Sequence, residues 1–392
     1  MTNEPHLLWI YTESPEDALD AATWLETTRE LRTLGWRVTL VTPAIHGLSG
    51  ERLVRDVPVV YVPRPNLYLF GQILFHGNLL RRLLGEWRSV DVVLLHQMSL
   101  LWMMPIKLLR WLRFGPGWGK QPQLVMDTRD LNPVEGGLKT KLRVWFYARM
   151  HQLANCCADG QTTITTQMAK LVNVPPAKLW GTWPSGVTPE SFAPAVAMRR
   201  WPTTGEPLRL IYIGRLQQER NLLPLCQAVE KANRAGMAFH FRLVGSGPQE
   251  AELRIFADQS NGCVEVLPPV AHAEIPALLS SAHIGVTSLP TVDNLKYQAS
   301  SPVKIFEYLA AGMPILSTAN ACHTDVIGQG AFAFWAEEPT VDGLSAALAK
   351  AWAAREQLAH HSDAAQCAAQ DWSWHAAAKK LGEALLHFRR GR

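Results

Sequence analysis

Apolar runs of strand length alternate with helix-length segments along most of the 392 residues, and this alternation constrains the fold more than any other feature. The runs are almost continuously apolar, which is typical of parallel strands covered by helices on both faces. We therefore expect an α/β chain with two successive doubly wound, Rossmann-like domains. The predicted strands are residues 7–11, 37–41, 90–95 and 124–126 in the first half, and 208–213, 239–244, 264–266, 284–287 and 314–317 in the second.

A stretch with five prolines, residues 183–207, separates the two halves. Prolines at this density predict an interdomain linker without regular structure. The predicted domains are therefore residues 1–190 and 191–372. A final helical pattern, with Ser373 as a candidate N-cap, covers residues 373–392.

The composition predicts a globular enzyme in a reducing compartment. Apolar residues make up 47% of the chain and charged residues 18%, which excludes a disordered chain. The start of the chain lacks a secretory signal, and no apolar run is long enough to span a bilayer. The six cysteines form no CxxC pair, and no cluster of Asp, His or Cys predicts a metal site. We expect a cytoplasmic location, and neither a cofactor nor a metal.

One region is both basic and aromatic, although the net charge of the whole chain is only +4. Residues 64–149 contain 13 Lys or Arg and five Asp or Glu, a net charge of +8, with five of the 15 Trp. Basic amphipathic helices with tryptophan favour an anionic membrane, so residues 72–149 are predicted to hold the protein on the inner face of the cell membrane. The helix at 105–113 would present Lys107, Arg110 and Arg113 on one side.

This region has two alternatives to a membrane contact. The helices could simply cover their own sheet and leave their arginines in solvent. Nucleic acid is the other anionic partner, but we do not expect it because no known binding module is visible.

The stretch SSPVKIFEYLAAGMP, residues 300–314, is the strongest local signal for a ligand site. Ser301 before a proline predicts an N-cap, and Gly312 predicts the end of the helix. Free amides at such a helix start bind phosphate. Lys304 and Glu307 share one face, where they suit a phosphate and sugar hydroxyls. The alternative is an intrahelical Lys–Glu ion pair in solvent.

Two further turns join a predicted strand to a predicted helix. In the first, Gly214 ends the strand, Arg215 and Arg220 follow it, and Asn221 is a candidate helix cap. Ligands bind at such turns in α/β sheets, and two guanidinium groups suit a diphosphate, although surface arginines are the simpler explanation. The second turn is a GxGP loop with Gly245 and Gly247, which is weak evidence by itself.

In the first half, chemically capable side chains follow two predicted strands. His96 ends the strand at 90–95, and Asp127 and Asp130 follow the strand at 124–126. The carboxyl ends of parallel strands face the ligand crevice, so these groups are candidates beside a reaction centre. The alternatives are a hydrogen-bonded histidine at a strand end and an aspartate that caps a turn.

Residues from about 155 to the end resemble the donor domain of the family 4 glycosyltransferases, which are retaining enzymes of GT-B architecture. The linker and the last helix resemble the corresponding parts of that family as well. The order and spacing of the motifs make this resemblance specific. The matching stretches are GRLQQER, LVGSGPQEAEL, VEVLPPVAHAEIPALLSSAHIGVTSLP, SPVKIFEYLAAGMPILST, PSGVTPESFAP and DWSWHAAAKKL.

The resemblance implies two Rossmann-like domains that face each other across a cleft, with helix 373–392 packed back on the first domain. It also implies metal-free transfer of a sugar, with retention, from a nucleotide diphosphate sugar to a lipid-linked or glycan acceptor in polysaccharide synthesis. Arg215 and Arg220 would hold the diphosphate beside Lys304, Glu307 the ribose, and the backbone at Val270 the base. The remaining candidate donor-site residues are Gly214, Gly245, Gly247, Ser300, Ser301 and Val303. From their places after the strands, His96 and Asp127 are candidates near the reaction centre, and Glu13, Ser14 and Asp130 on the acceptor side.

Two departures from the family limit what the resemblance implies. Many members have a glutamate seven residues before the position of Glu307, where it touches the donor sugar, and this chain has Ser300. The loop that contains Glu13 and Ser14 lacks a glycine pair common in the family. Two alternatives therefore stay open: a GT-B sugar-nucleotide epimerase or hydrolase, and a non-catalytic nucleotide-sugar-binding partner.

Overall fold

The computed structural model describes residues 4–15, 21–44, 49–65, 68–86, 89–114, 122–131, 137–290, 298–328 and 330–387. The chain divides into two compact units. Unit 1 consists of Met1–Ser185 together with Trp374–Arg392, and unit 2 of Gly186–Ser373. The sequence placed these boundaries at 190 and 372.

Unit 1 contains a sheet of eight strands in the order β3-β4-β2-β1-β5-β6-β7-β8, parallel except for the β3–β4 pair. Its core strands are buried on both faces, as the apolar runs predicted. The strands are β1 His6–Ile10, β2 Arg37–Ala44, β3 Gly50–Val54, β4 Val57–Pro63, β5 Val92–His96, β6 Gln123–Thr128, β7 Gly160–Thr163 and β8 Leu179–Thr182. The helices are α1 Ala21–Thr33, α2 Tyr68–Glu86, α3 Gln97–Met103, α4 Pro105–Phe114, α5 Leu138–Cys157 and α6 Thr166–Leu171.

Unit 2 contains a parallel sheet of six strands in the order β11-β10-β9-β12-β13-β14. Its strands are β9 Leu208–Ile213, β10 Phe239–Val244, β11 Val264–Leu267, β12 Ile284–Thr287, β13 Ile315–Thr318 and β14 Ala333–Ala336. Its helices are α7 Ala193–Met198, α8 Leu222–Arg234, α9 Glu250–Gln259, α10 Ile275–Ser280, α11 Val303–Ala310, α12 Ala321–Ile327, α13 Val341–Ala353 and α14 Leu358–Ala369.

Each sheet has one point at which the strand order reverses, and such a point is where α/β sheets open a crevice for ligands. In unit 1 the reversal lies between β1 and β5, and in unit 2 between β9 and β12. The loops at the carboxyl ends of these four strands are therefore the first places to look for a site.

The last helix, α15 (Trp374–Leu385), belongs to unit 1, where it packs on α1 and β8. Its apolar face, with Ala378, Leu381 and Leu385, joins the buried cluster around Trp9 and Trp183. The helix that the sequence predicted at 373–392 thus returns to the first unit.

The proline-rich linker is more regular than predicted. A 3-10 turn, Pro189–Phe192, runs into α7 within the stretch that was expected to lack regular structure. Pro189 and Pro194 stand in the first turn of these two elements, where the missing N–H costs nothing. Proline density therefore excluded helix wrongly, and the division between the units after Ser185 falls within the proline-rich stretch.

Candidate functional site

The backbone of unit 2 joins the two glycine loops that follow β9 and β10. The amide of Gly214 donates to the carbonyl of Val244 (2.9 Å), and the amide of Leu216 donates to that of Ser246 (2.9 Å). Gly245 has φ +150, and a Cβ there would lie 1.9 Å from the carbonyl oxygen of Gly214. Gly245 is therefore required for the close approach of the two loops. A Cβ on Gly247 would likewise lie 2.1 Å from the carbonyl oxygen of Leu216.

The two arginines predicted to hold a diphosphate lie in the loop between β9 and α8. Arg215 is exposed, and its carbonyl accepts a hydrogen bond from the Tyr212 hydroxyl (3.0 Å). Arg220 is half-buried at the end of a 3-10 turn, and its carbonyl accepts from Ser288 Oγ (2.8 Å), just beyond β12. The loop is thereby fixed to both strands at the reversal point. This placement favours a ligand site over scattered surface arginines.

The predicted capping role of Asn221 is wrong. Its backbone is left-handed (φ +55), and its side chain makes no cap bond to α8. The side-chain amide instead donates to the carbonyl of Pro339 (2.7 Å). The residue therefore shapes the turn after Arg220, because asparagine tolerates this backbone conformation better than most residues.

Lys304 projects from the first turn of α11 toward the end of β9. Its ammonium group lies 3.9 Å from the centroid of the Tyr212 ring, and a Cβ on Gly214 would lie 2.9 Å from its Nζ. Burial, reinforced by the positive charge of Arg220, holds the pKa of Lys304 well below its ordinary value, against the opposing effect of Glu307. A partly buried cation beside a second cation is arranged to receive an anion.

Glu307 makes its contact outside α11. Its Oε1 lies 3.3 Å from Nε2 of His272, which belongs to the loop after β11. Because Lys304 lies over Tyr212 instead, the intrahelical Lys–Glu pair does not describe this site. Val270 lies two residues before His272 and is half-exposed, in the same loop.

The start of α11 differs by one residue from the prediction. Pro302, with non-helical ψ of 85°, occupies the cap position without a side-chain bond, so Ser301 is not the N-cap. Ser300 and Ser301 are half-buried just before the helix, and Val303 is exposed at its first position. At the other end Gly312 (φ +63) terminates the helix as predicted, and the amide of Met313 donates to the carbonyl of Tyr308.

Two buried side chains that the sequence analysis missed make hydrogen bonds to the strands that carry this site. The Tyr308 hydroxyl accepts a hydrogen bond from the amide of Ile213 (3.2 Å), the last residue of β9. The His323 ring lies against Ser317 Oγ (2.8 Å) and Thr287 Oγ1 (3.2 Å), at the ends of β13 and β12. Burial lowers the pKa of His323 to about 4, so the ring is neutral near pH 7. His323 lies outside the matching stretches, whereas Tyr308 lies within the stretch at 300–314, where only Lys304 and Glu307 pointed to a ligand.

In unit 1, three predicted residues lie near the carboxyl ends of β1 and β5. His96 ends β5, and its ring accepts the Met98 amide at the start of α3 (3.4 Å), as the strand-end alternative described. Its ring also lies edge-on to Tyr147, at 6.3 Å between centroids. His96 and Glu13 line one cavity of about 350 Å³. Ser14, the residue after Glu13, is buried.

Asp127 and Asp130 separate into different environments. Asp127 is buried, and its Oδ1 accepts from Thr162 Oγ1 (2.7 Å) and from Trp183 Nε1 (3.0 Å). Burial raises its pKa, while Arg129 and these hydrogen bonds act in the opposite direction. Asp130 is exposed and accepts from the amide of Leu131 (2.8 Å), as in the turn-cap alternative.

The basic segment is helical in α2, α4 and α5, and α4 corresponds to the helix predicted at 105–113. The ammonium group of Lys107 is not available to an anionic partner as predicted, because it forms an ion pair with Asp159 Oδ1. The side chains of Arg110 and Arg113 lie outside the described residues, as do Trp87, Arg88 and Trp118. No helix in the described ranges is both long and apolar enough to cross a membrane. Within the same ranges, no three His, Cys, Asp or Glu side chains come together as a metal site.

Comparison with known families identifies both halves of the chain. Residues 207–354 match the family model described as glycosyl transferases group 1, and residues 21–179 match the glycosyl transferase 4-like domain. The putative colanic acid biosynthesis glycosyltransferase WcaL of Salmonella typhimurium is 27% identical over 149 residues, which are 37% of this chain and 36% of that protein. The chain thus matches about a third of the length of this curated relative.

Solved structures share the whole fold at low sequence identity. Sucrose-phosphate synthase from Thermosynechococcus elongatus superposes with a TM-score of 0.71 at 14% identity, over 99% of this chain and 100% of that one. Anabaena HepE in complex with UDP-glucose superposes with a TM-score of 0.67 at 15% identity, over 97% and 99%. The two matched family models and this shared GT-B fold confirm the expected resemblance, and the chain belongs to the family 4 type of glycosyltransferases.

Proposed function

We propose that this protein is a retaining glycosyltransferase that moves a sugar from a nucleotide diphosphate sugar to a lipid-linked or glycan acceptor in polysaccharide synthesis. One observation carries the proposal: Arg215, Arg220 and Lys304 lie around the reversal point of the unit 2 sheet, beside two loops joined through glycines. The UDP-glucose complex of HepE, which has the same fold, supports a nucleotide sugar as the donor.

The charges of this site suit the departing diphosphate. Arg215, Arg220 and Lys304 would contact its oxygens, and Glu307 would accept hydrogen bonds from the ribose hydroxyls. The backbone near Val270 would meet the base. In front-face transfer, the acceptor hydroxyl oxygen bonds to the anomeric carbon as the bond to the phosphate oxygen breaks, and that phosphate oxygen takes the hydroxyl proton. The contribution of the protein is to position the two substrates and to stabilise the charge on the diphosphate.

Three fixed cations supply the positive charge that a divalent metal would otherwise bring, so we propose transfer without a metal. Activity should therefore survive EDTA. Loss of activity in EDTA, restored by magnesium or manganese, would contradict this part of the proposal.

A peripheral position on the inner face of the cell membrane is the second part of the proposal. Most of the large apolar side chains that are exposed in the described ranges lie on α2–α5 of unit 1, close to exposed Lys141, Arg143 and Arg149. An apolar surface with basic residues favours an anionic bilayer. Six free cysteines are compatible with a reducing compartment. These apolar residues are Phe70, Ile73, Leu74, Leu84, Leu101, Leu108, Leu112, Leu138, Leu142 and Trp145.

The decisive experiment separates transfer from its alternatives by product. Purified protein is incubated with a panel of nucleotide sugars and a membrane extract, after a thermal-shift screen has selected the nucleotide sugars that bind. Sugar attached to lipid or glycan supports the proposal. Free sugar or an epimerised nucleotide sugar would identify a hydrolase or an epimerase. Binding without turnover would identify a non-catalytic partner. This alternative is open because Ser300 stands where many members of the family have a glutamate.

A further inference from the structure

The cavity at the reversal point of the unit 1 sheet has two arginines in its lining. It measures about 350 Å³, within the size range of small-molecule sites. Arg64 enters from the loop after β4, and Arg143 enters from α5. Gly71 and Gln72, near the start of α2, form another part of the lining, so the positive end of that helix dipole lies close by.

The charged groups of this cavity favour an oxyanion. Arg64 is half-buried, and its Nη1 donates to the carbonyl of Thr12 (2.9 Å), which uses one of the five N–H donors of a guanidinium. Burial lowers the pKa of Arg64, and Glu13 acts in the opposite direction. Nη2 of Arg143 lies 3.4 Å from the Tyr147 hydroxyl, which places a second guanidinium and a phenol in the same lining. Among the described residues of the lining, the two guanidinium groups exceed the one carboxylate, that of Glu13, and His96 adds a further polar group.

The helices that carry Gly71 and Arg143 also carry exposed apolar side chains. Phe70 precedes Gly71 on α2 and is 54% exposed, and Leu142 precedes Arg143 on α5 and is 58% exposed. Ile73 and Trp145 lie one turn further along each helix and are exposed as well. A dissolved anion gains nothing from exposed apolar side chains, whereas a phosphate attached to a hydrocarbon chain does.

We propose that this cavity binds the phosphate of a lipid-linked acceptor, with Arg64 and Arg143 on the phosphate oxygens and the apolar residues of α2 and α5 against the lipid chain. The inference rests on the proposed function, because it names the acceptor class of that transfer. It adds four residues to the acceptor side: Arg64, Gln72, Arg143 and Tyr147.

The test uses the full chain with Arg215→Ala and Arg220→Ala, so that the donor site cannot bind phosphate. Co-sedimentation is measured with phosphatidylcholine vesicles that contain either undecaprenyl phosphate or an amount of phosphatidylglycerol of equal charge. We expect stronger binding to the undecaprenyl phosphate vesicles, and a loss of that binding of at least about tenfold for Arg64→Gln and for Arg143→Gln. Arg52→Gln, an exposed arginine on β3, is the matched control and should change nothing.

Three results would overturn the inference. Equal binding to the two kinds of vesicle would show only a general anionic surface. Unchanged binding in both variants, or no recovery with Arg64→Lys where Arg64→Gln has unfolded unit 1, would remove the arginines from the site. Dissolved inorganic phosphate that competes as strongly as the vesicles would keep an oxyanion site but overturn its assignment to a lipid-linked acceptor. Nucleotide-sugar binding by the parent chain is measured separately, and its failure would overturn the proposed function while leaving the vesicle result intact.

Discussion

The two units offer ligands different kinds of surface at equivalent points of their sheets. In unit 2, backbone hydrogen bonds join the loops after β9 and β10. Arg215 and Arg220 follow Gly214 within the first of these loops. In unit 1, the cavity beside β1 and β5 is lined by residues from six separate elements and loops. A site that depends on backbone geometry leaves a motif in the sequence, whereas a site assembled from distant side chains does not. The first kind suits a ligand part common to many donors, and the second suits an acceptor that differs between enzymes.

The largest effect should come from the arginines of unit 2. Replacing both Arg215 and Arg220 with alanine should lower the transfer rate at least about a hundredfold, because each removes a charge-assisted contact worth roughly 1.5–3 kcal/mol. The measurement is initial rate with unchanged circular dichroism. Arg234→Ala, an exposed arginine on α8, is the control. A double variant with parental turnover would remove these arginines from the site.

The second prediction tests whether backbone approach defines unit 2. Gly245→Ala should lower the free energy of unfolding by about 3 kcal/mol and abolish nucleotide-sugar binding, because the added Cβ meets the Gly214 carbonyl. Denaturant titration and calorimetry measure the two effects. Gly262→Ala is the matched control: its φ of +77 is also strained, but nothing lies within 4 Å of the added Cβ. Similar losses in both variants would mean that strain alone, and not loop contact, is responsible.

The third prediction concerns the charge of Lys304. Its pKa is depressed in the free protein and should rise when a diphosphate is bound, since an anion favours the ammonium form. Between these two pKa values, donor binding takes up a proton, and affinity falls as pH rises. Calorimetry in buffers of different ionisation enthalpy should show this uptake, and Lys304→Met should abolish it. Proton uptake that persists in the Lys304→Met variant would assign it to another group.

The same depressed pKa predicts a gain in stability for Lys304→Met. Without a ligand, the pKa of Lys304 is lower in the folded chain than in the unfolded chain. At pH values between these two pKa values the unfolded chain binds more protons, so the parent becomes more stable as pH rises through them. An apolar side chain of similar length removes that dependence and the cost of burying the charge. Thermal unfolding of the ligand-free variant should therefore occur at a higher temperature than that of the parent at neutral pH, and a lower temperature would contradict it.

The membrane contact proposed for unit 1 predicts the next effect in size. Lys141→Gln combined with Arg149→Gln should weaken binding to anionic vesicles at least about tenfold, because each basic residue near the surface contributes about 1 kcal/mol. Salt should weaken the parent in the same way. Trp145→Ser should also weaken binding, and Ile255→Ser, an apolar residue similarly exposed on unit 2, should not. Vesicle binding that none of these changes affects would leave the helices as a simple cover for their sheet.

The smallest effect is expected at Glu307. Glu307→Gln should weaken nucleotide binding about tenfold if the carboxylate accepts ribose hydroxyls. His272→Ala is the discriminating partner variant, because His272 is the group that Glu307 contacts in the absence of a ligand. If both variants lose the same affinity, Glu307 acts by holding His272, and the direct contact with ribose is wrong.

Local patterns in the sequence predicted the fold class, nine of the strands and the basic helix at 105–113, and the family resemblance implied the return of the last helix to unit 1. They missed β3, β4, β7, β8 and β14. Strand β7 shows the reason: Gln161, Thr162 and Thr163 are polar, yet they are buried and hydrogen-bonded, as in the contact of Thr162 with Asp127. Tertiary partners that satisfy polar groups cannot be deduced from a hydrophobic pattern.

The sequence by itself determined the parts of this protein in which function depends on residues that are neighbours along the chain. Glycines in the two strand-to-helix loops, the glycine that ends α11 and a lysine with a glutamate on one helix face are such local features. Tertiary structure decided which charges meet, because burial and partner choice depend on elements far apart in sequence. It paired Lys107 with Asp159, separated Lys304 from Glu307, buried Asp127 and brought Arg64 and Arg143 to one cavity. The energy of a charge is set by its surroundings in space, and spacing along the chain specifies those surroundings only within a few turns.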